Sequence, residues 1–250
     1  MRDKCNKTEF PYHNNQRSRA QMKHHWWWKA NFIFDQSEIT RYHSGLVLFL
    51  EEDYYVTKDF LYILKMMYKR TIDLCPQCNI YTLGRHGQRT PSPKRYAQVN
   101  VMPWTTANNM AFAFNRATWN NIRTCAEHFC SFGDYNYDQS LEHMSRECPE
   151  GELINFSVKQ TRVFHTGACS THMTPCKQEE LMSQVQNALY TANKSSGMFP
   201  RNLKLTGTTL KYRKTFYKPL RGWDTNSDKK LCMSMISSTR IISAKRAKVK

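Results

Sequence analysis

The sequence lacks any long uninterrupted apolar segment and has few acidic residues. None of its apolar runs approaches the ~18 residues that a membrane-spanning helix needs, and its first residues lack the apolar core of a signal peptide. Of its 250 residues only 20 are Asp or Glu, against 37 Lys and Arg, so the formal net charge is +17. This excess of positive charge favours a polyanionic partner, such as nucleic acid, the phosphates of a nucleotide or a membrane surface.

The basic residues are spread along the chain, which argues against a dedicated nucleic-acid-binding domain. The one dense run lies at the C-terminus, where residues 236–250 are expected to form a basic tail. No zinc-finger or helix-turn-helix spacing accompanies it. A hydrophobic content of 40% and an aromatic content of 13% indicate a globular protein. A basic zinc-binding or nucleic-acid-binding module stays open here as an alternative.

The nine cysteines leave several interpretations open. Cys75-Pro-Gln-Cys78 has the spacing of half a zinc site or of a redox pair, but a second close pair and a thioredoxin-like context are both missing. Eight paired cysteines and one unpaired cysteine are instead typical of an oxidised domain of the secretory pathway. Asn-x-Ser/Thr sequons at Asn6, Asn155 and Asn193 agree weakly with that compartment.

The segment Gly45–Asp53 organises the chain. The apolar run Leu46–Leu50 is followed at once by Glu51, Glu52 and Asp53. The run predicts a strand buried on both faces in a parallel sheet, and therefore an α/β fold. Ligands of such sheets bind beyond the carboxyl ends of the strands, so the acidic triplet is a candidate site for a divalent cation. A solvated acidic turn is the alternative.

Helix-forming residues, apolar periodicity and turn residues predict the elements around this segment. Helices are expected at 18–34, 58–70 and 116–125, and strands at 79–83, 108–114 and 162–167. Trp26, Trp27 and Trp28 cannot all face one core, because successive helical residues point about 100° apart. The basic Gly84–Arg95 loop is expected to be exposed and to face the substrate.

Two more side chains are candidates for chemistry. Asp138 lies in an acidic and aromatic segment before a helix, where the helix dipole alone favours a carboxylate. Held against aromatic walls, it would instead suit a general base that faces a sugar hydroxyl. His165 ends a short strand, and beside Asp53 it would complete a metal site, although such a histidine is more often structural.

Four segments together resemble one family of glycosyltransferases. They are His24–Lys29, Leu48–Asp53, Asp134–Asp138 and Phe164–Gly167. In order and separation they are similar to segments of the alpha-1,6-mannosyl-glycoprotein 2-beta-N-acetylglucosaminyltransferases, Golgi enzymes of complex N-glycan synthesis. The resemblance implies a GT-A fold, which is Rossmann-like α/β. It also implies inverting transfer of N-acetylglucosamine from UDP-GlcNAc, in β1,2 linkage, to the α1,6-arm mannose of N-glycans, with no nucleic-acid partner.

The same resemblance implies roles for individual residues. Asp53 and His165 would bind Mn²⁺, and Asp138 would be the catalytic base. The residues that would line the UDP site are Gln21, Met22, Lys23, His24 and His25. Those that would contact the acceptor glycan are Arg89, Asn109 and Tyr137. The implied disulfides are Cys75–Cys78, Cys125–Cys148, Cys130–Cys232 and Cys169–Cys176.

Some features depart from the family. Tyr137 replaces a tryptophan and Gln139 an aromatic residue, so the aromatic wall at the acceptor is expected to be weaker. Residues 1–20 are expected to be an irregular N-terminal remnant. Residues 21–235 are expected to form a partial catalytic domain that lacks the N-terminal part of its nucleotide-binding half. The membrane anchor of the full-length type II Golgi protein, with its luminal catalytic domain, is expected to be absent. We therefore expect this chain alone to fold poorly and to have little activity, and an inactive glycosyltransferase fragment is a further alternative.

Overall fold

The computed structural model shows a mixed α/β architecture. It describes residues 11–86, 92–165, 178–194, 197–212, 219, 223 and 226–247. The helices in this part are α1 (Pro11–Asn31), α2 (Phe60–Leu74), α3 (Arg116–Thr124), α4 (Ala126–Ser131), α5 (Tyr137–Glu147), α6 (Gln178–Lys194) and α7 (Asn226–Ala247). The strands are β1 (Val47–Phe49), β2 (Tyr54–Val56), β3 (Ile80–Thr82), β4 (Gln98–Pro103), β5 (Phe112–Phe114), β6 (Ile154–Val158), β7 (Val163–His165) and β8 (Lys204–Thr208). A π-helical turn at Phe32–Gln36 continues α1.

The main sheet contains six strands in the order β1-β5-β3-β6-β4-β8. Its β3–β6 and β4–β8 pairs are parallel, whereas β1 pairs antiparallel with β5 and lies at the edge of the sheet. The expectation that the first strand belongs to a parallel sheet is therefore wrong. Its run is apolar for another reason: Val47 and Phe49 pack against one hydrophobic cluster, and Leu46 and Leu48 pack against the other. The general prediction of an α/β fold is confirmed as a mixed sheet with helices.

A second, two-stranded antiparallel sheet is formed by β2 and β7, and we call it the ribbon. In the ribbon Tyr54 lies opposite His165, and the N–H of Thr57 extends the pairing by donating to the carbonyl of Arg162 at 2.9 Å. Asp53 immediately precedes β2, and His165 ends β7. The register of the ribbon therefore brings the two expected metal ligands to the same end.

The long helix α1 supplies the largest aromatic contribution to the core. Trp26 and Trp27 are buried, whereas Trp28 is 46% exposed, as the angular step between helical residues requires. The ring of Trp27 stacks on Phe129 at a centroid distance of 4.5 Å, and its Nε1–H donates to the carbonyl of Cys232 at 3.0 Å. The helix is thus packed between α4 and α7.

Three disulfides lie in the described residues: Cys75–Cys78, Cys125–Cys148 and Cys130–Cys232. They are three of the four pairings that the resemblance implied, and the fourth, Cys169–Cys176, lies outside the described residues. The Cys130–Cys232 bond connects α4 to α7 across 102 residues of sequence. Because Cys75 and Cys78 are bonded to each other, the half zinc site considered for this pair is not formed.

Several expected boundaries change, and α1 begins at Pro11, within the segment 1–20 that was expected to be irregular. The strand expected at 108–114 shortens to Phe112–Phe114, because Thr106–Asn108 form a 3₁₀ turn in which the amide of Asn108 donates to the Thr105 hydroxyl at 3.2 Å. Such side-chain bonds favour turns over strands. Much of the expected basic tail belongs to α7, which extends to Ala247. None of the described helices is both long enough and apolar enough to cross a bilayer.

Candidate active site

A cavity of about 300 Å³ opens beyond the carboxyl end of β1. Its walls come from α1, from the turn between β1 and β2, from the residues around the start of β5, and from the first turn of α5. The lining residues are Met22, His25, Trp26, Lys29, Phe49, Leu50, Glu51, Glu52, Asp53, Tyr54, Asn109, Phe112 and Tyr137. The acidic triplet therefore lies in the wall of a cavity, together with several aromatic rings and one lysine.

Asp53, which lines this cavity, pairs with His165 at the end of β7. The Nε2 of His165 lies 3.0 Å from Oδ2 of Asp53, and the two side chains are 31% and 37% exposed, respectively. A carboxylate oxygen and an imidazole nitrogen are suitable ligands for a divalent transition metal. Adjacent ligands of an octahedral ion with bonds of about 2.1 Å lie about 3 Å apart. The spacing and the donor atoms of this pair therefore fit one divalent cation.

A buried ion pair fixes the ribbon that carries these two residues. The Nε–H of Arg162 donates to both carboxylate oxygens of Asp59 at 3.0 Å, and neither side chain is exposed. The same guanidinium donates to the carbonyls of Gln160 at 2.7 Å and Tyr96 at 2.8 Å. The Thr57 hydroxyl donates to Asp59 at 2.7 Å. Because Thr57 follows β2 and Arg162 precedes β7, these charge-assisted bonds hold both strands of the ribbon.

Asp138 approaches the cavity from the first turn of α5. Its Oδ2 accepts a hydrogen bond from the Asn109 amide at 2.8 Å, and its Oδ1 accepts one from the backbone N–H of Gln139, also at 2.8 Å. Burial raises the pKa of Asp138 to about 6, although these two hydrogen bonds oppose the rise. A carboxylate with this pKa is a stronger base than an exposed aspartate, yet it is ionised at neutral pH. The position thus suits proton abstraction.

Aromatic rings form one wall of the cavity. Tyr137 stacks on Trp26, with centroids 5.1 Å apart and planes 4° from parallel, and its hydroxyl donates to Oε1 of Glu51 at 3.0 Å. Burial, and then the charge of Glu51, raise the pKa of Tyr137 well above its ordinary value. Burial and Glu51 likewise raise the pKa of Tyr54. Both phenols therefore stay protonated. Glu51 accepts a hydrogen bond from Tyr137, whereas Asp53 pairs with His165.

The residues of α1 that were expected at a UDP site lie on different faces of the helix. Met22 and His25 line the cavity, and Gln21 is exposed. His24 faces away from the cavity, with its Nε2 3.2 Å from Oδ1 of Asp228 in α7. Of this segment, Met22 and His25 are thus the side chains placed to touch a ligand in the cavity.

Lys23 also faces away from the cavity and is fully buried. Its Nζ donates to the carbonyls of Phe132 at 2.9 Å and Asp134 at 3.2 Å, and it lies 4.1 Å from the ring centroid of Trp223. Burial lowers the pKa of Lys23 to about 7, although the carboxylates of Asp134 and Asp228 oppose the change. Lys23 therefore ties α1 to the loop that leads into α5 and Asp138.

Several contributors to the site had little signal of their own in the sequence. Phe49 and Phe112 stack across the β1–β5 pair at a centroid distance of 5.5 Å and line the cavity. His86 places its Nε2 2.7 Å from Oδ1 of Asn109. The available signal for His86 was its position in the basic loop that was expected to face the substrate. Arg89 of the same loop, expected at the acceptor, lies outside the described residues.

A second cluster of side chains whose types can bind a metal lies outside the cavity lining. Cys125, Cys148 and Glu150 bring their ligand atoms within 4.8 Å of one another. The two sulfurs are joined in a disulfide, so they offer no thiolate to a metal. The group is a structural crosslink with a nearby carboxylate.

Comparisons with known proteins show which sequences this chain resembles. The alpha-1,6-mannosyl-glycoprotein 2-beta-N-acetylglucosaminyltransferase of Homo sapiens is 31% identical over 238 residues, which cover 92% of this chain and 52% of that protein. The protein of the same name from Sus scrofa is 32% identical over 239 residues with the same coverage, and that from Arabidopsis thaliana is 28% identical over 151 residues, or 60% of this chain and 34% of its own. The chain spans about half the length of the first two relatives.

The profile of one family, N-acetylglucosaminyltransferase II (MGAT2), matches residues 1–232, which is most of the chain. The protein therefore belongs to the N-acetylglucosaminyltransferase II family.

Proposed function

We propose that this chain carries the catalytic site of a transferase that moves N-acetylglucosamine from UDP-GlcNAc, in β1,2 linkage, to the α1,6-arm mannose of an N-glycan. The observation that carries the proposal is the grouping of two kinds of side chain around one cavity. One is the Asp53–His165 pair, suited to a divalent cation, of which Asp53 lines the cavity. The other is the half-buried carboxylate of Asp138, which contacts the cavity-lining Asn109. The names of the relatives support the transferred group and the mannosyl acceptor.

In the proposed reaction Asp138 is the general base. Its carboxylate accepts the proton of the mannose O2 hydroxyl while O2 attacks the anomeric carbon of N-acetylglucosamine, and the bond from that carbon to the UDP oxygen breaks. A single displacement of this kind inverts an α-linked donor into a β-linked product. The hydrogen bonds from Asn109 and Gln139 hold the carboxylate in one orientation before the acceptor arrives.

Asp53 and His165 would hold Mn²⁺, with the Asp59–Arg162 pair keeping both strands of the ribbon in place. The ion, when bound, supplies positive charge that stabilises the diphosphate leaving group. Lys29 of α1 lines the same cavity and adds a second positive charge there. The proposed donor site thus combines these three side chains with the neighbouring Met22 and His25.

The acceptor would lie against Tyr137 and Asn109. Tyr137 carries the aromatic surface of the wall, and a ring of this kind packs against the apolar face of a sugar. Asn109 contacts Asp138 directly, so an acceptor that reaches the amide also reaches the base. Gln139, which replaces an aromatic residue of the family, contributes its backbone N–H to Asp138.

We further propose that the protein acts in the Golgi lumen, with the full-length form attached to the membrane. The three disulfides support an oxidising compartment, and the relatives act on glycoproteins by name. The alternative zinc-binding or nucleic-acid-binding module loses support, because the cysteines that suggested it are bonded in pairs within the described residues.

An activity assay tests the proposed function. In it the purified chain is incubated with UDP-GlcNAc, Mn²⁺ and an N-glycan that has an unsubstituted α1,6-arm mannose. At a protein concentration high enough for the low activity that we expect of this chain alone, we expect a product that is heavier by one N-acetylglucosamine, with a β1,2 linkage by NMR, and no product from Asp138→Asn. Asp73→Asn is the matched control, because Asp73 is an exposed carboxylate on α2. A product with another linkage, or equal product from the Asp138→Asn variant, would contradict the proposal.

A further inference from the structure

An exposed histidine outside the cavity wall contacts the candidate base through one intermediate residue. His86 follows β3, and its Nε2 lies 2.7 Å from Oδ1 of Asn109. The loop that carries His86 is fixed to the segment that carries Asn109 by two backbone bonds, from Gly84 N–H to the carbonyl of Met110 at 3.0 Å and from His86 N–H to that of Ala107 at 3.2 Å. The imidazole is therefore held beside the amide by the backbone on both sides.

The chemistry of the three groups determines which atom donates in each hydrogen bond. An ionised carboxylate only accepts, so the Asn109 group that meets Asp138 at 2.8 Å must be the NH₂. The oxygen of the amide then faces His86, and the imidazole Nε2 must carry a proton to donate to it. If the amide of Asn109 were rotated by 180°, its oxygen would face the carboxylate and its NH₂ would face the Nε2–H. Two acceptors would then face each other at Asp138, and two donors would face each other at His86.

We infer that His86 is a positioning residue, which fixes the amide of Asn109 so that it donates to Asp138 and keeps the base ready to face the acceptor. This inference rests on the proposed function, because it assigns His86 a part in the same proton transfer. His86 is not itself among the residues that line the cavity, and it contacts the cavity-lining Asn109, so it acts on the base through Asn109.

The carboxylate of Asp138 also feels other charged and titratable groups. Asp134 lies on the loop before α5, and its negative charge favours the protonated acid of Asp138. Tyr137 is the neighbour of Asp138 on α5, Tyr54 faces this region from β2, and Glu51 lies on the β1–β2 turn beside both phenols. The two phenols are neutral where Asp138 titrates, because their pKa values are raised. The hydrogen bond from Asn109 favours the carboxylate, and losing its orientation is expected to raise the pKa of Asp138.

The test compares four forms of the chain: wild type, His86→Ala, His86→Gln and His43→Ala. His86→Gln keeps an N–H donor without the imidazole, and His43 is a second exposed histidine, bonded to the carbonyl of Leu46, that serves as the control. Titration of the Asp138 carboxyl by ¹³C NMR is the readout that does not need turnover, with Asp138→Asn to assign the signal. The pKa in His86→Ala is expected to rise by about half a unit to one unit, the value of one weakened hydrogen bond.

Measurements of kcat and KM distinguish a positioning role of His86 from a merely structural one. We expect His86→Ala to lower kcat about threefold to tenfold with an unchanged KM for the donor, and His86→Gln to restore most of it. In an Asn109→Leu background the His86→Ala change should have no further effect on the pKa of Asp138. An unchanged Asp138 titration in His86→Ala would overturn the inference even if the chain is an active transferase. A raised pKa in a chain without transferase activity would instead support the positioning role and count against the proposed function.

Discussion

At Asp138 the folded protein holds a carboxyl group whose pKa is about 6, against 3.8 for the unconstrained group. Between these pH values the folded state binds more protons than the unfolded state, so the contribution of this group to stability falls as the pH rises from about 4 to about 6 and stays low above it. Desolvation of the charge is the physical cause. The same burial makes the carboxylate a stronger base, so a catalytic property is obtained at a cost in stability.

Asp138→Asn should therefore stabilise the protein while abolishing transfer. Asparagine keeps the shape of the side chain without its charge, but it can accept only one of the two hydrogen bonds that Asp138 accepts. We therefore expect the free energy of unfolding at pH 7 to rise by only roughly 1 kcal/mol. Urea denaturation at pH 7 and at pH 4 measures this difference, which should disappear at pH 4, where the wild-type carboxyl is mostly protonated in the folded state. A variant that is less stable than wild type at pH 7 would show that the carboxylate is favourably solvated.

For individual residues, the sequence predicted the side chains proposed to take part in the chemistry, but not the side chains that hold them in place. Asp53, His165 and Asp138 belong to short segments with a recognisable order, and the structure places all three at or beside one cavity. The surroundings of Lys23 and His86 could not be predicted, because they arise from contacts with residues far along the chain. Lys23 meets Phe132, 109 positions away, and His86 meets Asn109, 23 positions away.

Among the secondary-structure elements, the β2–β7 ribbon depends on a single buried ion pair. Asp59→Ala would leave the guanidinium of Arg162 buried and without its carboxylate, which typically costs about 3–5 kcal/mol. We expect a loss of this size in urea denaturation, and a weaker affinity for Mn²⁺ in the fraction that remains folded, because Asp53 and His165 would no longer be held in register. Asp73→Ala is the control, since its pair with Arg70 is exposed and should change stability by less than about 1 kcal/mol. A similar small effect for both variants would argue that the ribbon is fixed by its backbone pairing alone.

Helices were easier to predict than strand pairing. The expected helices at 18–34, 58–70 and 116–125 are present, since apolar spacing and capping residues are local signals. The antiparallel partner of β1 was not predictable, because an edge strand packed on both faces has the same apolar run as a central parallel strand. The strand β6 was not recognised either, because its buried Asn155 accepts a hydrogen bond on Oδ1 from the hydroxyl of Thr82, 73 positions away at 2.9 Å.

For the molecule as a whole, the amino-acid composition leaves more classes of function open than the residues of the candidate site do. A net charge of +17 fits nucleic acid, a nucleotide phosphate or a membrane surface equally well. The match to the N-acetylglucosaminyltransferase II family over residues 1–232 is what supports the proposed nucleotide-sugar donor. The GT-A assignment, the domain boundaries and the low activity expected for this chain alone stay predictions, because the chain spans about half the length of its relatives.

The most direct test of the account is calorimetry of UDP binding to the purified chain, with and without Mn²⁺. We predict binding that requires Mn²⁺ and that is lost in both Asp53→Ala and His165→Ala, because these two side chains form the proposed cation site beside the cavity. Glu52→Ala is the matched control: Glu52 lines the same cavity and has no assigned role in holding the ion, so its variant should keep Mn²⁺-dependent binding. Binding of UDP that does not depend on Mn²⁺, or that survives the loss of Asp53, would contradict the central claim that this cavity is the donor site.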